Sequence, residues 1–289
     1  MEIIQNTICM NIKGVLVAIG GNEDKGTGEA ALHIKEFSPK FNTSGILYKI
    51  LTEIKLPDST VEVVTSASSI PEQVGQNYID AFKKLGFTRV GVMNPSNKYE
   101  AELPHLLDRI ARAGCIMFSG GDQFKLACVL NDTKFTKLIH DRYVNDDVVI
   151  AGTSAGAMAM PDQMIYPGLA ASNMQEKEVK LYQGLSLIYN AMIDTHFLVR
   201  GRFRRLAVAV ANNPHNIGIG LEEDTGIIIR EGNKVETIGS GLVTILDGRN
   251  IRNPNQTVER ADHDIFIENM VVHLLRSGNH FTLRGKKIA

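Results

Sequence analysis

The sequence predicts an α/β protein with a mostly parallel sheet and helices on both of its faces. Short apolar runs alternate with segments of helical periodicity, as they do in repeated βαβ units. Runs such as Val15–Ile19 and Cys115–Phe118 are apolar at every position, which is typical of strands that are covered on both faces. A chain of 289 residues can bury a full core, and we expect residues 1–289 to form a single domain.

The composition indicates a soluble globular protein without a strongly charged partner. Apolar residues make up 44% of the chain and charged residues 22%, and the net charge of −1 comes with no long basic run. No apolar run reaches the ~18 residues of a membrane-spanning helix, and residues 1–14 lack the pattern of a secretory signal. We therefore expect a cytoplasmic protein with no membrane and no nucleic acid among its partners.

Cysteine usage and loop spacing predict neither a metal nor a cofactor. The three cysteines, Cys9, Cys115 and Cys128, are too few and too scattered for a disulfide framework or a zinc site. The apolar neighbours of Cys115 and Cys128 predict buried, reduced thiols. The Gly20–Lys25 loop after the first strand lacks the spacings of nucleotide-binding loops, so we interpret it as the lining of a pocket at the carboxyl end of the sheet.

The first half of the chain supplies alternating helices and strands. Pro71 suits the first turn of a helix, and Gly86 and Gly114 suit positions just past a helix end. The predicted elements are a strand at Val15–Ile19, a helix at Ile46–Ile54, a strand at Val61–Thr65, a helix at Pro71–Leu85, a strand at Arg89–Met93, a helix at Ala101–Ala113, a strand at Cys115–Phe118 and a helix at Thr133–Tyr143.

The segment from Val148 to Met160 organises the predicted site. It reads as a buried strand, a sharp turn and the start of a helix, with Gly152, Ser154 and Gly156 in a G-x-S-x-G pattern. Small neighbours let the strand and helix backbones approach closely, which leaves the serine hydroxyl exposed above the sheet. The pattern predicts a nucleophilic serine, although a Gly/Ala/Ser-rich turn without chemistry has the same residues.

A second glycine-rich turn, Ser119–Gln123, follows the strand that precedes the elbow strand in the chain. Its glycines expose main-chain N–H groups, which are the usual second half of an oxyanion hole. A plain β-to-α turn with Asp122 as the helix N-cap is an equally sound local explanation, and both interpretations can hold together.

The second half of the chain is predicted to be richer in strands. Tyr166–Gln183 reads as irregular structure, Ala191–Asp194 as a strand, and Met270–Leu275 as a late strand that carries His273. Four arginines in the Arg200–Arg205 segment head a helix, where they form either a solvated basic face or a site for substrate carboxylates. Glu222–Asp224 is an acidic cluster between short strands, and on local grounds it is as much a solvated turn as a functional one.

Five motifs together resemble the cyanophycinases, in the serine-peptidase family that also includes the aspartyl dipeptidases. The motifs are GGNEDK, FSGGDQ, GTSAGA, DTHF followed by RGRFRRL, and GIGLEEDT, and they run in order from Gly20 to Thr225. Each motif alone is weak, but five in this order are specific. The resemblance implies a flavodoxin-like or class I glutaminase-like fold with the nucleophile on an elbow. It also implies a homodimer and no metal.

By position in these motifs, the resemblance assigns a role to each candidate residue. Ser154 matches the nucleophile, His196 the general base and Glu223 the acid that orients it, while Gly121 and Ala155 match the oxyanion hole. One departure concerns the family motif D-Q-H-F, because Thr195 stands here in place of its glutamine. The positions that match the lining of the substrate cleft are Gln123, Asp194, Thr195, Arg200, Arg202 and Arg205.

The implied reaction is hydrolysis of cyanophycin, a poly-aspartate chain that carries arginine on each β-carboxyl group, to β-Asp-Arg dipeptides. Arg200, Arg202 and Arg205 would hold its carboxylates, and Asp122, Asp194 or an acid of the Glu222–Asp224 cluster would receive its guanidinium groups. The alternatives are a dipeptidase for α-aspartyl peptides, a glutaminase-like binding domain without catalysis, and an esterase that uses a late histidine, His273 or His280.

Overall fold

The structure is a computed structural model that describes residues 12–27, 40–56, 58–166, 179–252 and 266–283. The described strands are β1 (Val15–Ile19), β2 (Thr60–Val64), β3 (Val90–Met93), β4 (Ala113–Phe118), β5 (Val149–Thr153), β6 (Gln163–Tyr166), β7 (Lys180–Gln183), β8 (Ala191–Thr195), β9 (Ile217–Leu221), β10 (Thr225–Arg230), β11 (Lys234–Gly239), β12 (Val243–Asp247), β13 (Val271–Leu275) and β14 (His280–Thr282). The described helices are α1 (Ile46–Glu53), α2 (Pro71–Lys84), α3 (Lys98–Ala101), α4 (Pro104–Arg112), α5 (Gln123–Leu130), α6 (Lys134–Asn145), α7 (Ala155–Met158) and α8 (Phe203–Asn212).

Eight of these strands form the main sheet, in the order β14-β11-β10-β1-β5-β4-β2-β3. The five strands from β1 to β3 are mutually parallel, and β10, β11 and β14 extend the sheet as antiparallel neighbours. Parallel strands bring their carboxyl ends to one edge of a sheet. The loops after β1, β5, β4 and β2 therefore converge, and this is where open α/β folds bind ligands.

Helices cover both faces of the main sheet because successive strand residues point to opposite sides. In β1, Leu16 and Ala18 pack into a core that includes residues of α4, α5 and α6. Val15, Val17 and Ile19 face the other side, where the core includes α1 and α2. This arrangement confirms the predicted α/β class with helices on both faces.

A second sheet of four strands, in the order β13-β12-β9-β8, is a feature that the sequence patterns did not separate from the main sheet. One of its faces, which includes Ile193 and Ile219, belongs to the same core as Leu16. The other face, with Met192 and Leu246, packs against α8. β8 and β9 are parallel neighbours, with Thr195 opposite Leu221, so the residues that follow both strands emerge side by side.

Three predictions of secondary structure were wrong. The helix predicted at Ala101–Ala113 is two helices, because Leu103 takes the extended backbone (φ −61°, ψ 130°) favoured before Pro104. Gly114 lies inside β4 rather than at a helix end. The end of the segment predicted to be irregular, Lys180–Gln183, is strand β7, which pairs with β6 just before the segment. Residues 167–178 lie outside the described part of the chain.

The two described cysteines differ in exposure. Cys115 is buried in β4 and free, as predicted, and burial raises the pKa of its thiol. Cys128 is also free, but it is exposed. The inward face of α5 carries Leu126, Ala127 and Leu130, so Cys128 falls on the outer face and the prediction of a buried thiol was wrong there. Cys9 lies outside the described residues.

Candidate active site

Ser154 stands on a strained turn between β5 and α7. Its backbone angles, φ 51° and ψ −114°, lie in a region that side chains with a Cβ rarely adopt, at a cost of about 1–3 kcal/mol. The turn is closed by the Ser154 N–H, which donates to the Ile19 carbonyl at 2.9 Å. A Cβ on Gly152 would meet the backbone of Gly156, so strand and helix touch where the G-x-S-x-G pattern places glycines.

His196 and Glu223 reach Ser154 from the second sheet. His196 directly follows β8, and Glu223 lies two residues beyond β9, the parallel neighbour of β8. Ser154 Oγ lies 2.9 Å from His196 Nε2, and His196 Nδ1 lies 2.7 Å from Glu223 Oε1. The site therefore forms where the carboxyl ends of β5, β8 and β9 meet, and the structure brings together the three residues that the sequence singled out.

Burial and neighbouring charges set the protonation of this pair. Desolvation lowers the pKa of His196, and the positive charges of Arg200 and Arg202 lower it further against the opposing effect of Glu223. Burial on its own would raise the pKa of Glu223, but hydrogen bonds with the Asn22 side chain and His196 outweigh it, so that this pKa lies below its usual value. At neutral pH the arrangement is a neutral imidazole beside a carboxylate.

The Ser119–Gln123 turn lies against the elbow. A Cβ on Gly120 would be 3.3 Å from the Ser154 Cβ, and Gly121 has φ 144°, a conformation that glycine tolerates. Asp122 caps α5 by accepting from the N–H groups of Phe124 and Lys125 at 2.8 and 3.1 Å. The N-cap interpretation is therefore confirmed, and the cap leaves Asp122 less suited to receive a substrate guanidinium.

Asp194 is not a cleft carboxylate, which corrects the expectation that it faces the substrate. Its side chain has no exposed surface, and its oxygens accept from Arg205 Nε at 2.5 Å, Arg205 Nη2 at 2.6 Å and Arg202 Nη1 at 3.2 Å. Arg202 Nη1 also donates to the Thr195 carbonyl at 2.7 Å. The chain itself thus supplies the carboxylate that engages two of the three arginines expected to bind substrate.

Arg200 differs from the other two arginines. It is exposed, and among the residues the structure describes no side chain forms a hydrogen bond or ion pair with its guanidinium. α8 begins at Phe203, so Arg200 and Arg202 precede the helix instead of lying in its first turn, as the sequence had suggested. Of the three arginines expected to bind substrate, Arg200 is the one whose guanidinium is not engaged by Asp194.

Gln123 and Thr195, the remaining cleft candidates, are both buried. Gln123 donates its side-chain amide to the Ile165 carbonyl at 3.1 Å. Thr195 has no exposed surface, and its Oγ1 lacks a hydrogen-bond partner within the described parts of the chain. Where the related motif has glutamine, this chain therefore has a short side chain packed inside the protein.

The acidic cluster is part of the site and not a solvated turn. Glu222 Oε2 accepts the Leu242 N–H at 3.1 Å. The buried Asp224 accepts from the Ser240 hydroxyl at 2.8 Å and the Asp24 N–H at 3.2 Å. These bonds hold the turn that presents Glu223 to His196. His273, one of the two late histidines, lies in β13 opposite Ile245, as predicted.

An α/β fold in which a serine on an elbow contacts a histidine, which in turn contacts a glutamate, defines a hydrolase of the serine-nucleophile class. The chain belongs to peptidase family S51, whose model matches residues 38–238, and it is a serine peptidase. The cyanophycinase of Geminocystis herdmanii is 29% identical over 271 residues, which cover 93% of this chain and 94% of that protein. The cyanophycinase of Trichormus variabilis is 30% identical over 276 residues, which cover 96% of this chain and 88% of that protein.

Solved structures share the fold. A peptidase from an acI-B1 actinobacterium aligns with a TM-score of 0.66 at 19% identity and covers 94% of this chain and 98% of its own. A putative peptidase E from Listeria monocytogenes aligns with a TM-score of 0.52 at 18% identity, and covers 78% of this chain and 98% of its own. No helix among the described residues is long and apolar enough to cross a membrane.

Proposed function

We propose that this peptidase is a serine exopeptidase that hydrolyses cyanophycin to β-Asp-Arg dipeptides through an acyl-enzyme. The observation that carries the proposal is the continuous chain of contacts from Ser154 through His196 to Glu223. The relatives named cyanophycinase, which align with almost the whole chain, support this substrate.

From these contacts we assign a role to each member of the triad. Ser154 Oγ attacks the scissile carbonyl carbon while His196 Nε2 takes its proton, and Glu223 stabilises the imidazolium that forms. His196 then gives the proton to the leaving nitrogen as the C–N bond breaks. A water attacks the resulting ester, His196 takes the water's proton, and its return to Ser154 Oγ releases the product acid.

The oxyanion that forms at each attack needs donors close to Ser154. We assign this role to the main-chain N–H groups of Gly121 and Ala155. Ala155 begins α7, and the first N–H groups of a helix have no partner within the helix. Gly121 belongs to the Ser119–Gln123 turn, and its neighbour Gly120 lies against Ser154. Losing one such donor typically costs about 10²–10³-fold in kcat.

We assign Arg200 to a free carboxylate of the substrate. Arg202 and Arg205 serve mainly to support the site, since both engage Asp194 and Arg202 also holds the Thr195 carbonyl. Burial lowers the pKa of Arg202 to about 10, with the charge of Asp194 opposing, so that it stays a cation at neutral pH. Its charge therefore contributes to the low pKa of His196 during catalysis.

The purified protein is expected to dissolve cyanophycin granules and release β-Asp-Arg in the presence of EDTA. The proposed chemistry uses a serine, a histidine and a glutamate, and the described residues contain no group of three or more His, Cys, Asp or Glu able to hold a metal. Granule turbidity and mass spectrometry of the released dipeptides measure the result. Inhibition by EDTA that added metal reverses would contradict the mechanism.

A dipeptidase for α-aspartyl peptides is the second candidate, and one observation favours it. The buried Thr195 cannot present an amide to the substrate as the glutamine of the related motif can. Granules left intact beside cleaved α-aspartyl dipeptides would replace the first proposal with this one. A protein that cleaves neither, but reacts with a serine-directed phosphonate, has a different substrate for the same nucleophile.

The acid limb of the pH profile is expected to have its midpoint below ~6.5, the ordinary pKa of histidine. The base must be neutral to accept the proton of Ser154, and burial together with Arg200 and Arg202 lowers the pKa of His196. The rate of phosphonate labelling against pH measures this without a peptide substrate. Arg200→Gln removes one positive charge and should shift the midpoint upward, so a downward shift would contradict the assignment.

The expected homodimer, the cytoplasmic location and the lack of a nucleic-acid partner stay predictions. Light scattering of the purified protein measures the first of these directly.

A further inference from the structure

The loop that follows β1, Gly20–Lys25, contacts two of the candidate catalytic residues. Its main-chain carbonyls accept the backbone N–H of His196 at 2.9 Å and that of Asp224 at 2.8 Å. Its Asn22 side chain forms a hydrogen bond with Glu223. The loop is therefore more than a pocket lining. The side chain of Glu23, one of its two acidic residues, connects it to the elbow that carries Ser154.

Glu23 is a buried carboxylate that the proposed mechanism does not use. Its side chain is 1% exposed, and it accepts from Thr153 Oγ1 at 2.6 Å, from Lys25 Nζ at 2.8 Å and from the Tyr78 hydroxyl. Burial on its own would raise the pKa of Glu23, but these partners outweigh it and the pKa lies below its usual value. The group stays ionised at neutral pH, with the Thr153 hydroxyl held against it.

Thr153 directly precedes Ser154, whose backbone is strained. Such a conformation persists only where the surrounding structure over-determines it. On one side the Ser154 N–H is held by the Ile19 carbonyl. On the other side the side chain of Thr153, which is itself buried, is held by Glu23. Both restraints come from the end of β1 and the loop that follows it.

We propose that Glu23 is a positioning residue of the nucleophile elbow, which acts on Ser154 through the hydroxyl of Thr153. The carboxylate bonds Thr153, so its effect is on the direction of Ser154 Oγ toward His196 Nε2. It therefore contributes to the rate of acylation and not to substrate affinity. The proposal rests on the proposed function in one respect, which is the role of Ser154 as nucleophile.

Glu23→Gln tests the proposal because glutamine has the size of glutamate but only one acceptor oxygen. In the wild type, Thr153, Lys25 and Tyr78 donate to the two oxygens of the Glu23 carboxylate. The other oxygen is replaced by an NH2 group, which cannot accept a hydrogen bond from the Thr153 hydroxyl or the Lys25 ammonium. We expect the rate of phosphonate labelling and kcat to fall by up to about 10²-fold with KM unchanged. A misdirected hydroxyl is slower to attack but leaves the binding surface intact.

Glu62→Gln is the matched control. Glu62 is a carboxylate with a 5% exposed side chain on β2 of the same sheet, and it pairs with Arg109. Its loss should lower the unfolding temperature as Glu23→Gln does but leave the labelling rate at the wild-type value. A general loss of stability is thereby separated from an effect on the elbow.

Changes at Thr153 test the same bond from the other side. Thr153→Val removes the hydroxyl and should reproduce the loss of labelling rate, whereas Thr153→Ser keeps the hydroxyl and should restore most of it. Two residues that act through one bond are not additive. The double variant Glu23→Gln/Thr153→Val should therefore be no slower than the slower single variant.

Each outcome decides the proposal. A wild-type protein that the phosphonate does not label would overturn the proposed function itself. The positioning role is wrong if the wild type is labelled and Glu23→Gln is labelled equally fast, or if Glu23→Gln differs from the wild type only in KM. It is also wrong if the rate reductions of Glu23→Gln and Thr153→Val multiply in the double variant. Should Glu23→Gln fail to fold, the contrast between valine and serine at position 153 decides the question alone.

Discussion

Replacing Ser154 with alanine is expected to lower kcat by about 10⁶-fold, the scale seen when a triad serine is removed, while the fold stays intact. The hydroxyl is the nucleophile in the proposed mechanism, and its Oγ lies 2.9 Å from His196 Nε2. Alanine leaves His196 without a hydroxyl to activate. The backbone bonds of the turn, from the Ser154 N–H to Ile19 and from the Met158 N–H to Ser154, do not involve the side chain. Single-turnover kinetics measure the loss of activity, and circular dichroism measures whether the fold is kept. Turnover within about tenfold of wild type in a folded variant would contradict the assignment of Ser154 as nucleophile.

Ser154→Gly is the matched control for this experiment. Both variants lack the hydroxyl and should be equally inactive, but glycine adopts φ 51° without the clash of a Cβ. The glycine variant should therefore unfold at a higher temperature than the alanine variant. That difference would measure the strain at the elbow, and its absence would mean that the turn is not strained.

The repeating elements could be predicted because their determinants are local. A strand such as β1 is recognised by apolar residues at every position, and a helix such as α2 begins at Pro71, where its missing N–H costs nothing. The same holds for the elbow, whose residues are consecutive in the chain. What the sequence could not supply is which strands share a sheet. The strand β8 was predicted from its residues, but only its pairing with β9 places both in the second sheet.

The surroundings of Asp194 show where this reasoning fails. Two residues before His196, at the end of a strand, a carboxylate is expected to face the cleft. The chain instead turns back so that Arg202 and Arg205, 8 and 11 residues further on, enclose it. The arginine-rich segment was noticed as an anion site, but the pattern does not tell whether the anion belongs to the substrate or to the chain.

Glu23 was missed for a related reason. Its partner Thr153 lies 130 residues away, and the contact exists only because β1 and β5 are parallel neighbours in the main sheet. The available signal was an acidic residue in the loop after a strand that pairs with the elbow strand. That signal becomes specific once the strand order is known, which the sequence patterns do not define.

Glu223→Gln is expected to lower kcat by about 10⁴-fold without a large loss of stability. Glutamine has the same shape, but it is neutral and cannot stabilise the imidazolium, and its amide group can hold His196 in the wrong tautomer. The Glu223 side chain is 12% exposed, so a glutamine at this position keeps some contact with solvent and its burial costs little stability. Steady-state kinetics at saturating substrate measure the loss, and thermal unfolding measures the stability.

Asp194→Asn is the rival change, and it should fail in a different way. Asp194 is fully buried, and its two partners, Arg202 and Arg205, are each 15% exposed, so a neutral asparagine leaves two cations with little solvent. Removing one partner of a buried ion pair costs about 3–5 kcal/mol of folding free energy. The variant should therefore unfold early, but retain turnover at temperatures where it is folded. If folded Asp194→Asn has no turnover at saturating substrate while Glu223→Gln keeps it, Asp194 and not Glu223 is the acid that serves His196.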